Sequence, residues 1–300
     1  MTSYTAQCVL PLAAELGEGP LYVPAQDRLL FVDLKRCTLH AWDAATRQHR
    51  SWTLPDYICW LVPRRDGDGF MAGLRDSIVR LWLEPALRIE PVARVVDGAA
   101  GQRLNDAKVD AQGRLWLGSM HDTDYQQSAG KLFRLDPDLR LAVADEGYHI
   151  CNGPTFAPDG GTLYHSDSFL DLTYRYALAA DGSLGPREVW RRYTGGGGPD
   201  GMQADSEGCM QADSEGCIWV AIWGGKRVCR FSPAGELLAE VALPTSHPAS
   251  LAFGGEDLRT LYITTAREGL SAGQLAQEPL AGAVFSAHID VPGLPANAFG

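Results

Sequence analysis

Short apolar runs bounded by polar turns alternate along the whole chain, and the spacing of an amphipathic helix is nearly absent. Typical runs are "DRLLFVD" at 27–33 and "GRLWLGS" at 113–119. Strand-length segments rich in aliphatic and aromatic residues, separated by Asp, Gly and Pro, are typical of tight β-hairpins. The pattern predicts an all-β protein.

Six of these runs align with one another and define an internal repeat. Their first apolar residues are Leu29, Phe70, Leu115, Leu163, Ile218 and Leu261. The intervals between them are 41, 45, 48, 55 and 43 residues, and each interval also contains a second pair of strand-like segments. A period of roughly 40–50 residues with four strands per repeat is the signature of a propeller blade. We therefore expect one domain over residues 1–300, a six-bladed β-propeller with four-stranded antiparallel blades around a central channel.

The first strand-like run, "YTAQCVLPLA" at 4–13, has no hairpin partner before it in the sequence. We expect this run to complete the last blade and so close the ring. The alternative architecture is a pair of stacked β-sandwiches, which also alternate strands with turns but do not require a fixed repeat length.

Residues 202–209 and 210–217 are the same eight letters, "MQADSEGC", in tandem. One copy is enough to complete the repeat, as a strand after "PDG", a turn and the strand "IWVAI". We expect the duplication at 202–217 to enlarge a hairpin loop, with the first copy in the strand. Doubling the length of a loop costs only about 0.6 kcal/mol in closure entropy, so folding tolerates the surplus copy.

Charge and targeting patterns limit the possible partners. The chain has a formal net charge of −11, which disfavours nucleic acid or an anionic membrane as a partner because either needs a basic face. The sequence contains no apolar stretch as long as a membrane span, and its start lacks the pattern of a signal peptide. We expect a cytoplasmic protein that binds neither nucleic acid nor membrane, and the sequence leaves its oligomeric state open.

Polar residues recur at one position of the repeat, ten or eleven residues before the first apolar residue of each run, once the eight surplus residues are subtracted. The residues at this position are Glu18, Trp60, Asn105, Asn152, Asp200 and Ser250. Inner strands of a propeller line the channel, so we expect these side chains to converge. Buried carboxylate and amide oxygens repel one another unless a cation lies between them, and such ligands suit Ca²⁺, Mg²⁺, Mn²⁺ or Fe²⁺. Because Glu18, Asn152 and Asp200 each adjoin Gly or Pro, a turn-forming role is the alternative.

Several motifs carry a family resemblance. They are "LGEGPLY" at 16–22, "RLNDAKVDAQGRLWLGSM" at 103–120, "CNGPTFAPDGGTLYHSDS" at 151–168, "PDGM" at 199–202 and "FGGEDLRTLYITTA" at 253–266. Together they resemble the SMP-30/gluconolactonase family, also called regucalcin-like, and within it bacterial aldonolactonases such as xylonolactonase. The resemblance implies one divalent metal ion in the channel, with Ca, Fe(II), Mn, Mg and Zn all open as its identity.

Matched residue by residue, the resemblance implies that Glu18, Asn152 and Asp200 bind the metal. It also implies that Arg103 and Asn105 contact the substrate. A surface ion pair with Asp106 is the alternative role of Arg103. A further substrate position, acidic in some members, falls at or beside His121 here. We expect His121 either to contact sugar hydroxyls or shuttle protons, or to form hydrogen bonds only within its own loop.

The implied reaction is metal-dependent hydrolysis of a sugar-acid lactone to the aldonic acid, with a xylonolactone-like pentono- or hexonolactone as the preferred substrate. Asp200 is the candidate catalytic base, because one carboxylate oxygen could take a proton from water while the other stays on the metal. Activation of the water by the metal itself is the alternative. Two other functions stay open: a non-catalytic calcium-binding or regulatory propeller, and an aryl-ester or organophosphate hydrolase.

Overall fold

The structure, a computed structural model, describes residues 1–208 and 216–300. Those residues form six successive sheets, and the first four strands of each sheet, counted from the innermost, pair antiparallel. The predicted six-bladed β-propeller with four-stranded blades is confirmed. The runs that define the sequence repeat form the second strand of each blade, so the repeat length is the length of one blade.

The strands enter the blades in chain order, apart from two at the N-terminus. Those two are β1 (Thr2–Thr5) and β2 (Gln7–Leu10). Blade 1 contains β3 (Gly17–Val23), β4 (Arg28–Asp33), β5 (Thr38–Asp43) and β6 (His49–Thr53). Blade 2 contains β7 (Ile58–Pro63), β8 (Phe70–Leu74), β9 (Ser77–Trp82) and β10 (Arg88–Arg94). Blade 3 contains β11 (Gln102–Val109), β12 (Leu115–His121), β13 (Gly130–Leu135) and β14 (Leu141–Tyr148). Blade 4 contains β15 (Cys151–Phe156), β16 (Thr162–Asp167), β17 (Leu172–Ala177) and β18 (Glu188–Arg192). Blade 5 contains β19 (Gly198–Gly208), β20 (Gly216–Trp223), β21 (Arg227–Phe231) and β22 (Leu237–Ala242). Blade 6 contains β23 (Pro248–Gly254), β24 (Thr260–Thr265) and β25 (Val284–His288).

The connections contain short helices. In the described ranges these are the 3-10 helices Pro24–Gln26, Gly98–Ala100 and Ser168–Leu170, and one α-helix, α1 (Ala272–Gln277). Ser271 caps α1 by accepting from the amide of Gln274, whose side chain in turn accepts from the Ser271 amide. Among the helices described, none has the length and apolarity needed to cross a membrane.

Burial decreases from the inner to the outer strand of a blade. β15 and β23 are buried at every position, whereas most residues of β6 are exposed. An inner strand packs against neighbouring blades on both faces, which explains why nearly all of its residues are buried although several are polar. One apolar cluster joins blades 1, 2 and 3 through residues such as Leu30, Val79 and Leu117. The hydrophobic core therefore lies between blades, where burial of apolar area favours the ring.

The N-terminal segment closes the ring, as predicted, and also reaches a second blade. β2 pairs antiparallel with β25 and completes blade 6. β1 pairs in parallel with β22, which adds a fifth strand to blade 5. This fifth strand was not predicted from the sequence. Because one continuous segment belongs to two sheets, it fastens the last two blades together.

The C-terminal segment crosses one end of the channel. Phe299 exchanges backbone hydrogen bonds with residues 63 and 65, next to β7 of blade 2. The Asn297 side chain donates to the carbonyl of Val109, at the end of β11, over 3.1 Å. Residues 294–297 line the channel at this end, which we call the lower end. The inner strands begin at the opposite, upper end.

In the duplicated region, strand β19 takes its residues from the first copy. Residues 202–204 pair with residues 218–220 of β20. The carboxylate of Asp205 accepts from the indole of Trp219 at 2.9 Å and from Arg230 at 2.7 Å. In blade 3, Asp110 holds Trp116 and Arg114 in the same way. The predicted enlargement of the loop concerns residues 209–215, which lie outside the described residues.

Candidate catalytic site in the central channel

The first strand of each blade surrounds the central channel. These strands are β3, β7, β11, β15, β19 and β23, and each contacts the next, with β23 returning to β3. The residues that share one phase of the repeat all lie on these strands and are all buried: Glu18, Trp60, Asn105, Asn152, Asp200 and Ser250. Residues far apart in sequence thus form one layer of the channel wall.

A register shift accompanies this layer in every blade. The pairing between the first and second strands shifts between Glu18 and Leu21, Ile58 and Trp60, Leu104 and Ala107, Asn152 and Thr155, Pro199 and Met202, and Pro248 and Ser250. A bulge takes residues out of the ladder and redirects their side chains. The repeated bulge explains how polar side chains leave the apolar packing between blades and reach the channel.

Glycine follows three of the layer residues and lets neighbouring blades approach. Gly19 and Gly153 have φ of 52° and 38°, in the left-handed region that glycine adopts without strain. A Cβ on Gly153 would lie 2.8 Å from the Met202 amide nitrogen, and one on Gly201 would overlap Ser250. The glycines that made a turn-forming role plausible therefore serve the close packing of inner strands.

Three buried carboxylates lie within electrostatic reach of one another. Burial first, and then the charge of Asp106, raises the pKa of Glu18 to about 8. Burial, followed by the charges of Glu18 and Asp106, raises the pKa of Asp200 well above its usual value. Burial also raises the pKa of Asp106 and lowers the pKa of nearby Lys108. Negative charge in this layer is therefore unfavourable unless a cation offsets it.

The layer fits a divalent cation. Asp200 Oδ1 is buried and accepts no hydrogen bond from any described residue. Asn152 Oδ1 accepts one hydrogen bond, from Asn105, which leaves it a second lone pair. In the described ranges no three side chains drawn from His, Cys, Asp and Glu form a group that could hold a metal. A site built on Glu18 and Asp200 therefore needs the amide oxygen of Asn152, and this all-oxygen set suits a hard cation.

Arg103 and Asn105 belong to a hydrogen-bonded chain that runs around the layer. Arg103 Nη1 donates to Asn105 Oδ1 at 2.6 Å, and Asn105 Nδ2 donates to Asn152 Oδ1 at 2.7 Å. Asn152 Nδ2 donates to Ser168 Oγ at 2.9 Å, and Ser168 donates to the Pro199 carbonyl next to Asp200. This network contains Arg103, Asn105 and Asn152 and ends next to Asp200. Glu18, the fifth residue that the family resemblance implies, acts on Asp200 through its charge.

The partner of Arg103 differs from the alternative considered from the sequence. Arg103 is buried, and its Nε pairs with Asp122 Oδ1 at 3.0 Å instead of pairing with Asp106. Arg103 lies opposite Met120 in the β11–β12 ladder. Asp122 is two residues beyond Met120 and so lies diagonally across the pair on the same face. Asp106 falls in the bulge and lines the lower channel.

His121 makes local contacts. Its Nδ1 accepts hydrogen bonds from the backbone amides of Asp124 and Thr123, at 2.9 and 3.3 Å. These bonds hold the turn that follows β12. The neighbouring Asp122 is the acidic group that contacts Arg103, and the contact of His121 with substrate stays a prediction.

Two cations at the upper end were missed in the sequence. Lys35 Nζ contacts Asp122 Oδ1 at 2.7 Å, and Arg75 Nη1 contacts Asp122 Oδ2 at 3.2 Å. Burial alone would raise the pKa of Asp122, but the hydrogen bond and charge of Lys35, with Arg103 and Arg75, lower it. Lys35, Arg75 and Asp122 all follow the second strand of their blade closely. The position just after the second strand recurs in every repeat, so the sequence alone could have indicated these residues.

Below the layer, the channel contains a cavity of about 280 Å³. Tyr22, Phe156 and Phe253 supply apolar lining, and Asp106 and Lys108 are charged groups in its wall. Lys108 Nζ donates to the Met202 carbonyl at 2.6 Å. The C-terminal segment lies across this end, and Arg103 lies towards the opposite, upper end.

Comparison with known proteins places this site in context. Residues 16–267 match the family described as the SMP-30/Gluconolactonase/LRE-like region. The chain is 38% identical to 6-deoxy-6-sulfogluconolactonase of Pseudomonas putida over 96% of each protein. It is 33% identical to regucalcin of Danio rerio over 98% of each. The solved structure of a calcium-binding protein, regucalcin from Agrobacterium tumefaciens, superposes with a TM-score of 0.91 at 26% identity, covering 100% of this chain and 98% of that one.

The family match extends over most of the chain and includes all the residues of the channel layer. Its relatives are matched over nearly their whole lengths, so the similarity concerns the complete propeller and not one blade. The chain belongs to the SMP-30/gluconolactonase family.

Proposed function

We propose that the protein is a metal-dependent lactonase that hydrolyses the cyclic ester of a sugar acid to the open aldonic acid. The observation that carries this proposal is the pair of buried carboxylates, Glu18 and Asp200, of which Asp200 has an oxygen without a hydrogen-bond partner among the described residues. Relatives named as sugar lactonases support the substrate class. We propose a preference for pentono- and hexonolactones, with xylonolactone as the first to test.

The ligands proposed for the divalent ion are Glu18, Asn152 and Asp200. When bound there, a divalent ion supplies Lewis-acid stabilisation of the negative charge that develops on the lactone carbonyl oxygen. Asn105 holds the amide of Asn152 in place through its 2.7 Å hydrogen bond, so the ligand oxygen keeps its position before substrate arrives.

Asp200 is proposed as the general base. A water molecule attacks the lactone carbonyl carbon, and its proton passes to the Asp200 carboxylate. The bond between the carbonyl carbon and the ring oxygen then breaks, and the ring oxygen receives that proton as it becomes a hydroxyl group. The products are the carboxylic acid, which ionises at neutral pH, and a regenerated Asp200 carboxylate.

Arg103 and Asn105 are proposed to hold the substrate at the upper end. Arg103 uses Nε and Nη1 in the hydrogen bonds described, so its Nη2 protons are available for a sugar or ring oxygen. Asn105 accepts from Arg103 and donates to Asn152, and so fixes the distance between the substrate-binding and metal-binding parts of the site. Preorganised donors of this kind lower the barrier because they need no reorganisation during the reaction.

The test is acid release from D-xylono-1,4-lactone and D-glucono-1,5-lactone at neutral pH, with and without a chelator and after adding back Ca²⁺, Mn²⁺, Mg²⁺, Zn²⁺ or Fe²⁺. We expect chelator-sensitive hydrolysis and a loss of kcat of about 10²-fold or more in Asp200→Asn. Asp138→Asn is the matched control, because Asp138 is exposed and pairs only with Arg140 across 3.6 Å in the described structure.

Two outcomes would favour other functions. Cation binding without chelator-sensitive acid release would favour a non-catalytic calcium-binding propeller, the function that similarity to a protein described as calcium-binding also supports. Faster hydrolysis of aryl esters or organophosphates than of any sugar lactone would favour an ester hydrolase on the same scaffold.

A further inference from the structure

Four consecutive glycines, residues 195–198, lie at the upper end of the channel and lead into Asp200. Gly195 and Gly196 are exposed. Apart from their chain neighbours, no described residue has a heavy atom within 4 Å of the Cβ that would be added at either position. The first three glycines have φ between 90° and 94°, a range that glycine adopts without strain. The approach to Asp200 therefore presents bare backbone with open space beside it.

An exposed aromatic ring stands on the blade 4 side of these glycines. Phe169 is 44% exposed although it is large and apolar. It lies in the 3-10 helix Ser168–Leu170, which contacts β19; a Cβ on Gly198 would lie 3.0 Å from the carbonyl oxygen of the first residue of that helix. The Phe169 ring stacks on the His149 imidazole, with centroids 4.9 Å apart and planes 22° apart. His149 Nδ1 lies 3.0 Å from Asp167 Oδ2, so the imidazole and the ring stacked on it are held in place.

A second aromatic ring stands on the blade 6 side. Trp223 is partly exposed, ends β20 and lies opposite Gly198 in the ladder. Its indole stacks on the imidazole of His247, just before β23 of blade 6, with centroids 4.2 Å apart and planes 13° apart. Two aromatic rings, each backed by a histidine, thus flank the four glycines. We call residues 195–198, Phe169 and Trp223 together the glycine surface.

The glycine surface begins about one sugar ring away from the proposed catalytic carboxylate. A β-strand advances about 3.3 Å per residue, so Gly198 lies about 7 Å from Asp200 along β19. A single sugar ring has similar dimensions. A lactone ring with its carbonyl carbon next to Asp200 therefore ends near Gly198, and Gly195 and Gly196 lie beyond it. That part of the surface is available to a group attached to the lactone ring.

We propose that the substrate is a disaccharide lactone, and that its second, uncharged sugar ring binds on the glycine surface with its C–H faces against Phe169 and Trp223. The inference rests on the proposed lactonase function. The C–H face of a sugar ring is apolar and suits an aromatic ring, whereas its hydroxyl groups can form hydrogen bonds with the exposed backbone of the glycines. An uncharged sugar fits because the glycine surface contains no ionisable side chain.

The expected preference follows from the apolar area that stacking removes from water. A tenfold change in kcat/KM corresponds to about 1.4 kcal/mol. At about 25 cal/mol per Å² this is roughly 55 Å² of apolar surface, of the order of one face of a sugar ring. Because this contribution is not electrostatic, it should change little with salt.

The experiment compares D-glucono-1,5-lactone with D-cellobiono-1,5-lactone and lactobiono-1,5-lactone, using the metal-loaded full chain and correcting for spontaneous hydrolysis. We expect kcat/KM to be about tenfold higher for at least one disaccharide lactone than for the monosaccharide lactone, at both low and high salt. Phe169→Ala should lower this ratio about tenfold, mainly through KM, and Trp223→Ala should lower it in the same direction. Trp52→Ala is the matched control, because Trp52 is a partly exposed ring on the outer strand of blade 1.

The outcomes separate this inference from the function on which it rests. Efficient hydrolysis of the monosaccharide lactone with no preference for either disaccharide lactone would overturn the inference and leave the lactonase function intact. An equal effect of Phe169→Ala on monosaccharide and disaccharide lactones would also overturn it, since a purely structural ring acts in this way. If no lactone is hydrolysed, the proposed function fails and the inference fails with it.

Discussion

Replacing Glu18 with Gln in protein freed of metal by a chelator should weaken the dependence of its stability on pH. The Glu18 carboxyl has a pKa of about 8 in the folded protein, against 4.5 for an ordinary glutamate, because it is buried and lies near Asp106. Between these two pH values the folded protein keeps a proton that the unfolded chain has released. The contribution of this proton to the free energy of unfolding is therefore fully present below about pH 4.5 and is lost as pH rises towards 8.

The magnitude follows from the difference between the two pKa values. A difference of about 3.5 pH units, at about 1.4 kcal/mol per unit, gives a loss of about 5 kcal/mol in the free energy of unfolding between pH 4.5 and 8. Glu18→Gln removes one titrating group, so its stability should fall with pH by about 1.4 kcal/mol less per unit. Some dependence should remain, because the pKa of Asp200 is also raised by burial.

The assay is urea unfolding followed by tryptophan fluorescence at several pH values from 5 to 8, with chelator present. Glu188→Gln is the control, because Glu188 is exposed on the outer strand of blade 4, away from the channel. Excess divalent cation should abolish the fall in the free energy of unfolding with pH in the wild type, since the ion favours ionised carboxylates. Parallel stability curves for the wild type and Glu18→Gln in chelator would refute the reasoning.

Three further predictions concern other parts of the molecule. Asp122→Asn should raise KM about tenfold and lower the free energy of unfolding by about 2 kcal/mol, measured by steady-state kinetics and urea unfolding, because three cations lose a shared counter-charge. His121→Ala should lower stability by about 1 kcal/mol and leave KM within about twofold, because the Asp124 amide loses its acceptor; a large rise in KM would instead indicate substrate contact. Deleting residues 210–217 should retain lactonase activity and raise stability by about 0.6 kcal/mol, judged by the same two assays, because the strand register needs only one copy; inactivity of the shortened chain would contradict that register.

The six-bladed architecture and the channel layer could be predicted because both depend on patterns that recur along the chain. Hairpins depend on local turn chemistry and strand propensity, and the repeat length records how many such strands form one blade. The shared phase of Glu18, Asn152 and Asp200 in that repeat predicted that they lie on inner strands, and the structure places them there. In the duplicated region, residues 202–204 of the first copy pair with β20, and the enlarged loop stays a prediction.

Which side chains come into contact could not be predicted, because those contacts join distant parts of the chain. Arg103 has acidic residues three and 19 positions away, and only the register of β11 against β12, with its bulge, selects Asp122 over Asp106. The contacts of Lys35 and Arg75 with that carboxylate join loops of three blades, and closure of the ring sets their distances. The pairing of β1 with blade 5 is equally non-local. Such contacts depend on how the blades pack around the axis, a property that no single stretch of sequence contains.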